Sequence, residues 1–229
     1  MAGRSDAVKW TSELAEIDLG IVKTEGGELA SLLAGLVDLG NLRVILFVAP
    51  PGALESWPKA DQASAIAGLD IPSVIWIDGN CSDAGLALAL GCDIRVSAHA
   101  STYGPASLSR DLLPPDGLIQ RLARLVGRGQ ALWMLLTGQS LNANQAEQVG
   151  LVQHLGNLKD ALTIASDIKA GGPIAVAYAR EAVLRGSDMP LNEGLRLEAD
   201  LSVLLQSTAD RAEGLSAFRD HRLPDYQGK

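Results

Sequence analysis

Two uninterrupted apolar runs constrain the fold of this chain more than any other feature. One covers residues 44–48 (Val-Ile-Leu-Phe-Val) and the other covers residues 74–77 (Val-Ile-Trp-Ile), which follow Ser73 in a predicted strand over 73–77. A strand with one face in water alternates apolar and polar residues, whereas a strand covered on both faces is apolar throughout. Turn residues follow each run, at 50–52 and at 78–80. We therefore expect two buried strands with helices packed over them.

The flanking segments supply the elements that such strands need. Alternating apolar residues predict a strand over 15–22, and helical spacing predicts a helix over 28–39. The first apolar run extends to a strand over 42–49. A small, apolar segment at 84–91 predicts a buried helix, and residues 94–97 predict a further strand.

The second half of the chain has mostly helical periodicity. Asn142 has the position of a helix cap, and Pro173 suits the first turn of a helix, where a missing N–H costs nothing. Leu197, Leu201 and Leu204 lie on one amphipathic face. We expect an α/β core over residues 1–170 and a helical region over 171–229, which supplies an oligomerisation layer.

Composition excludes several classes of function. The chain has 229 residues, 47% of them hydrophobic, and a net charge of −8. An acidic protein is a poor match for the phosphates of nucleic acids. Two cysteines form neither a disulfide framework nor a metal site, which favours a reduced, cytoplasmic compartment. Neither a secretory signal nor an apolar run long enough to span a membrane is visible, so we expect no membrane partner.

Several segments occur in the order and spacing of one known family. They are a strand at 71–79, A-x-x-C-D-I-R at 89–95, Q-R-L with L-V-G at 120–127, L-T-G at 136–138, A-E-Q-V-G-L-V at 146–152, and T-x-D-x-x-E-G-x-x-A-F at 208–218. Together they resemble the crotonase (enoyl-CoA hydratase/isomerase) superfamily. The resemblance implies a crotonase-like spiral of repeated ββα units with a helical C-terminal layer.

The resemblance also implies a chemistry. Members bind an acyl-CoA or acyl-carrier thioester and hold its carbonyl between two backbone N–H groups while an enolate forms. Those groups correspond to Ala60 and Ala84 here. Coenzyme A enters as part of the substrate, so we expect neither a separate cofactor nor a metal. Relatives assemble as homotrimers or hexamers, and we expect the same of this chain.

Two positions depart from the hydratases of the family. Ala87 and Ser107 stand where the resemblance places their glutamates. Hydration needs a carboxylate pair to activate water and to protonate carbon. We therefore expect an isomerase, dehydratase or decarboxylase with one acid/base group. The alternative is a catalytically degenerate subunit that binds acyl-CoA or a partner, and a shortened lid segment at 62–71 favours it.

Three residues are candidates for that acid/base or nucleophilic group. Asp116 lies near a position where some isomerases and a dehalogenase of the family carry an aspartate. Its competing interpretation is the N-cap of the helix that carries Leu118. Asp83 directly precedes the helix at Ala84, and it too has an N-cap as its alternative. Ser107 has no histidine nearby in the sequence to activate it.

Overall fold

The computed structural model describes residues 6–11, 13–26, 28–38, 41–58, 61–106 and 111–229. The strands are β1 (Val8–Thr11), β2 (Leu14–Asp18), β3 (Val44–Ala49), β4 (Ser73–Ile77), β5 (Asn80–Cys81), β6 (Ile94–Ser97), β7 (Thr102–Tyr103), β8 (Leu141–Asn142) and β9 (His154–Leu155). The helices are α1 (Leu19–Thr24), α2 (Leu29–Val37), α3 (Gln62–Ala67), α4 (Asp83–Gly91), α5 (Leu118–Val126), α6 (Arg128–Thr137), α7 (Ala143–Gln148), α8 (Leu158–Ala170), α9 (Pro173–Gly186), α10 (Leu191–Gln206) and α11 (Ala209–Arg219).

The chain divides into two compact units. The first takes the residues up to Leu69 together with Ser73–Ala165, and the second takes Asp70–Pro72 and Ser166–Lys229. Both sheets belong to the first unit, whereas the second is helical from α9 onward. The expected α/β fold with a helical C-terminal region is confirmed. Across the ranges given above, no helix has both the length and the apolarity needed to cross a membrane.

The larger of the two sheets contains the central strands of the first unit. Among the described residues its strand order is β1-β2-β3-β4-β6-β9, and β5-β7-β8 form a second, smaller sheet. β1 pairs antiparallel with β2, and the other neighbours in the larger sheet are parallel. Every residue of β3 is buried, and four of the five in β4 are. The apolar runs therefore form central strands, as predicted.

The strand predicted over 15–22 is wrong in its second half. β2 ends at Asp18, and helix α1 begins at Leu19. The Asp18 carboxylate accepts hydrogen bonds from the amides of Gly20 (2.8 Å) and Ile21 (3.2 Å). The Asp18 carboxylate gives the first N–H groups of α1 a hydrogen-bond acceptor. This local stabilisation of the helix outweighs the strand preference that the apolar alternation indicates.

Helix α4 is buried within the first unit. All of its residues from Gly85 to Gly91 are buried, which explains why they are small or aliphatic. A Cβ built on Gly91 would lie 2.6 Å from the Ala63 carbonyl oxygen. Helix α3 therefore packs directly against the α4 backbone.

Arg95 fixes the C-terminal end of α4. Its side chain is buried, and the guanidinium donates to the carbonyls of Cys92 (2.6 Å) and Leu151 (2.8 Å). Burial lowers the pKa of Arg95, because a charge is costly in a medium of low polarity. The bonds to carbonyl oxygens offset that cost and join the end of α4 to the segment before β9.

Acidic residues of the T-x-D-x-x-E-G motif, in the second unit, accept hydrogen bonds from backbone amides near the C-terminus. The Asp210 carboxylate accepts from the amides of Gln227 (2.7 Å) and Gly228 (2.8 Å). Glu213 accepts from Arg222 (2.8 Å) and from the Asp225 amide (2.8 Å). The Arg222 contact and the Asp225 amide lower the pKa of Glu213 to about 2. The acidic residues of the T-x-D-x-x-E-G pattern thus hold the last residues against α11.

Replacing Arg95 tests its role at the end of α4. In Arg95→Lys a compact ammonium cannot reach both carbonyls, so buried acceptors lose their donors. We expect the free energy of unfolding to fall by about 3 kcal/mol or more in urea denaturation. Arg128→Lys, at an exposed position of α6, should change it by less than about 0.5 kcal/mol. Equal effects of the two changes would contradict this role.

Candidate functional site

A cleft lies beyond the carboxyl ends of β3 and β4. These strands are parallel neighbours, so both end at the same edge of the sheet. The turn that follows β3 brings Glu55 and Trp57 to one wall of the cleft, and the start of α4 brings Asp83 and Ala84 to the other. The cleft has a volume of about 380 Å³, and we call it the α4 cleft. Open α/β sheets commonly bind ligands at this edge.

Ser82 and Gly85 join the two walls. The Ser82 amide donates to the Leu54 carbonyl (3.1 Å), and the Ser82 hydroxyl donates to the Glu55 carbonyl (2.7 Å). A Cβ built on Gly85 would lie only 2.1 Å from the Leu54 carbonyl oxygen. The start of α4 therefore rests on the backbone of the turn, and only glycine allows that approach.

The Ala84 amide is the N–H donor that the start of α4 presents to the cleft. The amides of Gly85 (2.9 Å) and Leu86 (3.3 Å) donate to the Ser82 carbonyl. Ala84 precedes them in the helix, so its N–H belongs to the first turn, which has no intrahelical acceptors. The helix dipole adds a partial positive charge at the same end. Because Ala84 lines the cleft, this end of α4 can stabilise an oxygen that gains negative charge.

Asp83 is not the N-cap of α4, so that alternative is wrong. Ser82 is the N-cap, and Asp83 is the first helical residue, with a left-handed φ of 45°. Its Oδ1 accepts from the Ala106 amide at 2.9 Å. The carboxylate therefore reaches across to the segment after β7 instead of capping its own helix.

Asp116 is not the N-cap of α5 either. Gly117 holds that position. Asp116 Oδ2 instead accepts from the Ala63 amide (2.6 Å), and Oδ1 accepts from the Ser64 hydroxyl (3.4 Å). The N-cap residue of α3 is Asp61, and its own side chain makes no capping hydrogen bond among the described residues. Asp116 therefore caps α3, a helix 53 residues earlier in the chain.

Glu55 is a cleft residue that sequence reasoning missed. It lines the α4 cleft and a second cavity of about 450 Å³, which also includes Asn80, Thr102 and Ser140. Its Oε1 accepts from the Asn80 side-chain amide at 3.0 Å. The available signal was its place just beyond the first buried strand, where parallel sheets present functional side chains.

Apolar side chains complete the cleft. Trp57 is 7% exposed and forms part of the wall. Leu112 and Leu113 line the cleft and are 58% and 75% exposed. The cleft thus combines a polar floor at the start of α4 with an apolar rim, which suits a ligand that has one polar group on a hydrocarbon body.

Two predicted site residues, Ala60 and Ser107, lie outside the described residues. Within the described ranges, no group of three or more His, Cys, Asp and Glu side chains could hold a metal ion. Cys81 and Cys92 are buried, and burial raises the pKa of both thiols. Neither thiol is therefore activated as a nucleophile.

Comparisons with known proteins agree on one family. Residues 53–229 match the family described as "Enoyl-CoA hydratase/isomerase". The mouse protein "Enoyl-CoA hydratase domain-containing protein 2, mitochondrial" is 37% identical over 174 residues, which cover 72% of this chain and 59% of that protein. The 2,3-dehydroadipyl-CoA hydratase of Escherichia coli is 36% identical over 162 residues, covering 69% and 64%. The chain thus spans less than two thirds of the length of these curated relatives.

A solved structure from the same family has the same backbone fold. The crystal structure of an enoyl-CoA hydratase from Bacillus anthracis superposes with a TM-score of 0.85 at 26% identity. The superposition covers 99% of this chain and 100% of that one. The residues matched to the family include both walls of the α4 cleft.

Replacing Gly85 tests how tightly the walls are joined. In Gly85→Ala the new methyl group collides with the Leu54 backbone, which cannot rotate away as a side chain could. We expect the free energy of unfolding to fall by about 1–3 kcal/mol or more. Gly129→Ala is a matched control in α6, because a Cβ there meets nothing within 4 Å. It should raise stability by up to about 1 kcal/mol. If urea denaturation gave the same change for both variants, the close approach would be refuted.

Proposed function

The chain belongs to the enoyl-CoA hydratase/isomerase family, and on that premise we propose that it binds an acyl-CoA or acyl-carrier thioester in the α4 cleft. Its fold is the crotonase fold. The thioester carbonyl lies at the Ala84 amide, and the apolar part of the acyl group packs on the Trp57 and Leu113 side. The reaction passes through an enolate whose oxygen is stabilised at the start of α4.

The position of Ala84 is the observation that carries this proposal. An enolate places negative charge on the carbonyl oxygen, and a fixed N–H donor stabilises that charge without reorganising. The Ala84 amide lies in the first turn of α4 and lines the cleft. The resemblance to the family adds Ala60 as the second donor.

The side chains favour a reaction with one acid/base group. Ala87, at the position of one hydratase glutamate by resemblance, is buried inside α4 and has no proton to exchange. Among the described residues that line the α4 cleft, Glu55 and Asp83 are the carboxylates, and Asp83 Oδ1 accepts from the Ala106 amide, which leaves Glu55 as the one group for proton transfer. Isomerisation, dehydration or decarboxylation therefore suits the cleft better than hydration, which needs two positioned groups.

A second candidate function is binding without chemistry. Ala87 favours it, and so does the bond that commits Asp83 Oδ1 to the Ala106 amide. In that case the protein would hold an acyl-CoA, or pair with an active subunit, and would not convert the thioester. Binding and turnover must therefore be measured separately.

Two substitutions at Ala84 test the proposed donor. Ala84→Pro removes the N–H, and the first turn of a helix tolerates proline. Ala84→Gly keeps the N–H and is the matched control. Conversion of acetyl-, butyryl- and crotonyl-CoA is followed by NMR. We expect the proline variant to convert these thioesters about 10²–10³-fold more slowly than the natural protein. The glycine variant should stay within a few-fold of the natural protein.

Each outcome of that test has one meaning. Equal rates for the two variants, with circular dichroism showing both folded, would contradict the role of Ala84. Binding of acyl-CoA by the natural protein with no conversion of any thioester would support the second candidate function. Rapid hydration of crotonyl-CoA would contradict the proposed reaction class.

We also propose that the chain self-associates as a trimer or hexamer through its second unit. Helices α10 and α11 leave large apolar side chains in water, including Val203 (65% exposed) and Phe218 (82% exposed). Exposed apolar surface of this kind marks an interface more often than a free face. Light scattering at micromolar concentration should give a mass of three or six chains. A monomer would contradict this proposal.

A further inference from the structure

A chain of hydrogen bonds ends on Glu55. The Thr102 hydroxyl donates to Asn80 Oδ1 at 2.6 Å, and Asn80 Nδ2 donates to Glu55 Oε1 at 3.0 Å. Because Thr102 occupies the Asn80 carbonyl oxygen, the amide nitrogen of Asn80 faces Glu55. β5 and β7, which carry Asn80 and Thr102, are paired at these two residues. The sheet therefore holds the whole chain of bonds in place.

The backbone of Glu55 is fixed as well. Its carbonyl accepts from the Ser82 hydroxyl at 2.7 Å, and Ser82 is the N-cap of α4. Glu55 is thus tied through its main chain to the helix that carries Ala84, and through Oε1 to Asn80. Among the described residues, Oε2 has no hydrogen-bond partner. One carboxylate oxygen is held, and the other is available to a ligand.

We propose that Glu55 is the acid/base group of the α4 cleft and that Asn80 and Thr102 are its positioning residues. The inference rests on the proposed function and adds the group that moves the proton. Glu55 Oε2 takes a proton from the α-carbon of the bound thioester. The electron pair of that C–H bond becomes the carbon–carbon double bond of the enolate, and the negative charge moves to the oxygen at the Ala84 amide.

The second half of the cycle returns a proton from Glu55, and this proton exchanges with solvent while the carboxyl is neutral. The neutral Glu55 carboxyl donates it either to the α-carbon, which restores the starting thioester, or to the γ-carbon of an unsaturated acyl group, which moves the double bond. Atoms and charge balance without any other reactant. One carboxylate is sufficient because it serves as base and then as acid.

The two candidate aspartates, Asp83 and Asp116, accept hydrogen bonds from other segments of the first unit. Asp83 Oδ1 accepts from the Ala106 amide and holds the segment after β7. Asp116 has both oxygens within hydrogen-bonding distance of the first turn of α3. Within the described ranges, Glu55 Oε2 has no such partner, and Glu55 lines the cleft. Glu55 is therefore the carboxylate that transfers the proton.

The test is exchange of the α-protons of butyryl-CoA in D₂O, followed by NMR, with binding measured by calorimetry. Glu55→Gln keeps an oxygen that accepts from Asn80 but cannot carry the proton. We expect it to lower the exchange rate about 10²–10⁴-fold while the Kd for butyryl-CoA changes less than about threefold. Asn80→Leu and Thr102→Val should lower the rate about tenfold at saturating butyryl-CoA, without raising the concentration that gives half the maximal rate.

The same assay separates failure of this inference from failure of the proposed function. Exchange by Glu55→Gln at the natural rate would overturn the role of Glu55. So would loss of exchange in Asp83→Asn or Asp116→Asn while Glu55→Gln retains it, and the role would then pass to that aspartate. If the natural protein neither bound butyryl-CoA nor exchanged its protons, the proposed function itself would fall, and the role of Glu55 with it.

Discussion

The contact between the start of α4 and the turn after β3 is the interaction on which the cleft depends. Gly85 lets the helix backbone approach the Leu54 carbonyl, and Ser82 binds that carbonyl and the Glu55 carbonyl. At the other end of the helix, Arg95 holds the carbonyl of Cys92. A helix fixed at both ends presents its first N–H groups at a defined place, which is what stabilisation of a developing charge requires.

Three carboxylates near the cleft have different tasks because their surroundings differ. Asp116 accepts from the amide of Ala63 and caps a short helix. Asp83 ties α4 to the segment after β7 through the Ala106 amide. Glu55 accepts from the Asn80 side-chain amide, and in the described part of the chain its other oxygen has no hydrogen-bond partner. The number of backbone donors that each carboxylate already satisfies therefore separates structural acids from a candidate catalytic one.

The sequence was informative wherever a local pattern determines the structure. The apolar runs of β3 and β4 form central strands, and Asn142 is the predicted cap of α7, where it forms a capping box with Gln145. Asp18 is a local signal too, since aspartate is a preferred N-cap residue, and it ends β2 despite the apolar alternation that continues beyond it.

The candidate site was harder to predict, because its contacts join distant segments. Asp116 caps α3 across 53 residues, and Glu55 meets Asn80 across 25. A sequence shows that a carboxylate is present, but which N–H group it meets is decided by the packing of the whole unit. The resemblance to the family implies roles for Ala60, Ser107 and Asp116 but none for Glu55, which lies outside its matching motifs.

The proposed function requires the Ala84 amide to hold the oxygen of a thioester. A crystal structure of the protein with a non-hydrolysable acyl-CoA analogue would show whether it does. The carbonyl oxygen should lie about 2.7–3.1 Å from the Ala84 nitrogen, with the α-carbon on the side of the cleft that Glu55 lines. An analogue whose carbonyl lies away from the start of α4, or whose acyl group lies outside the α4 cleft, would contradict it.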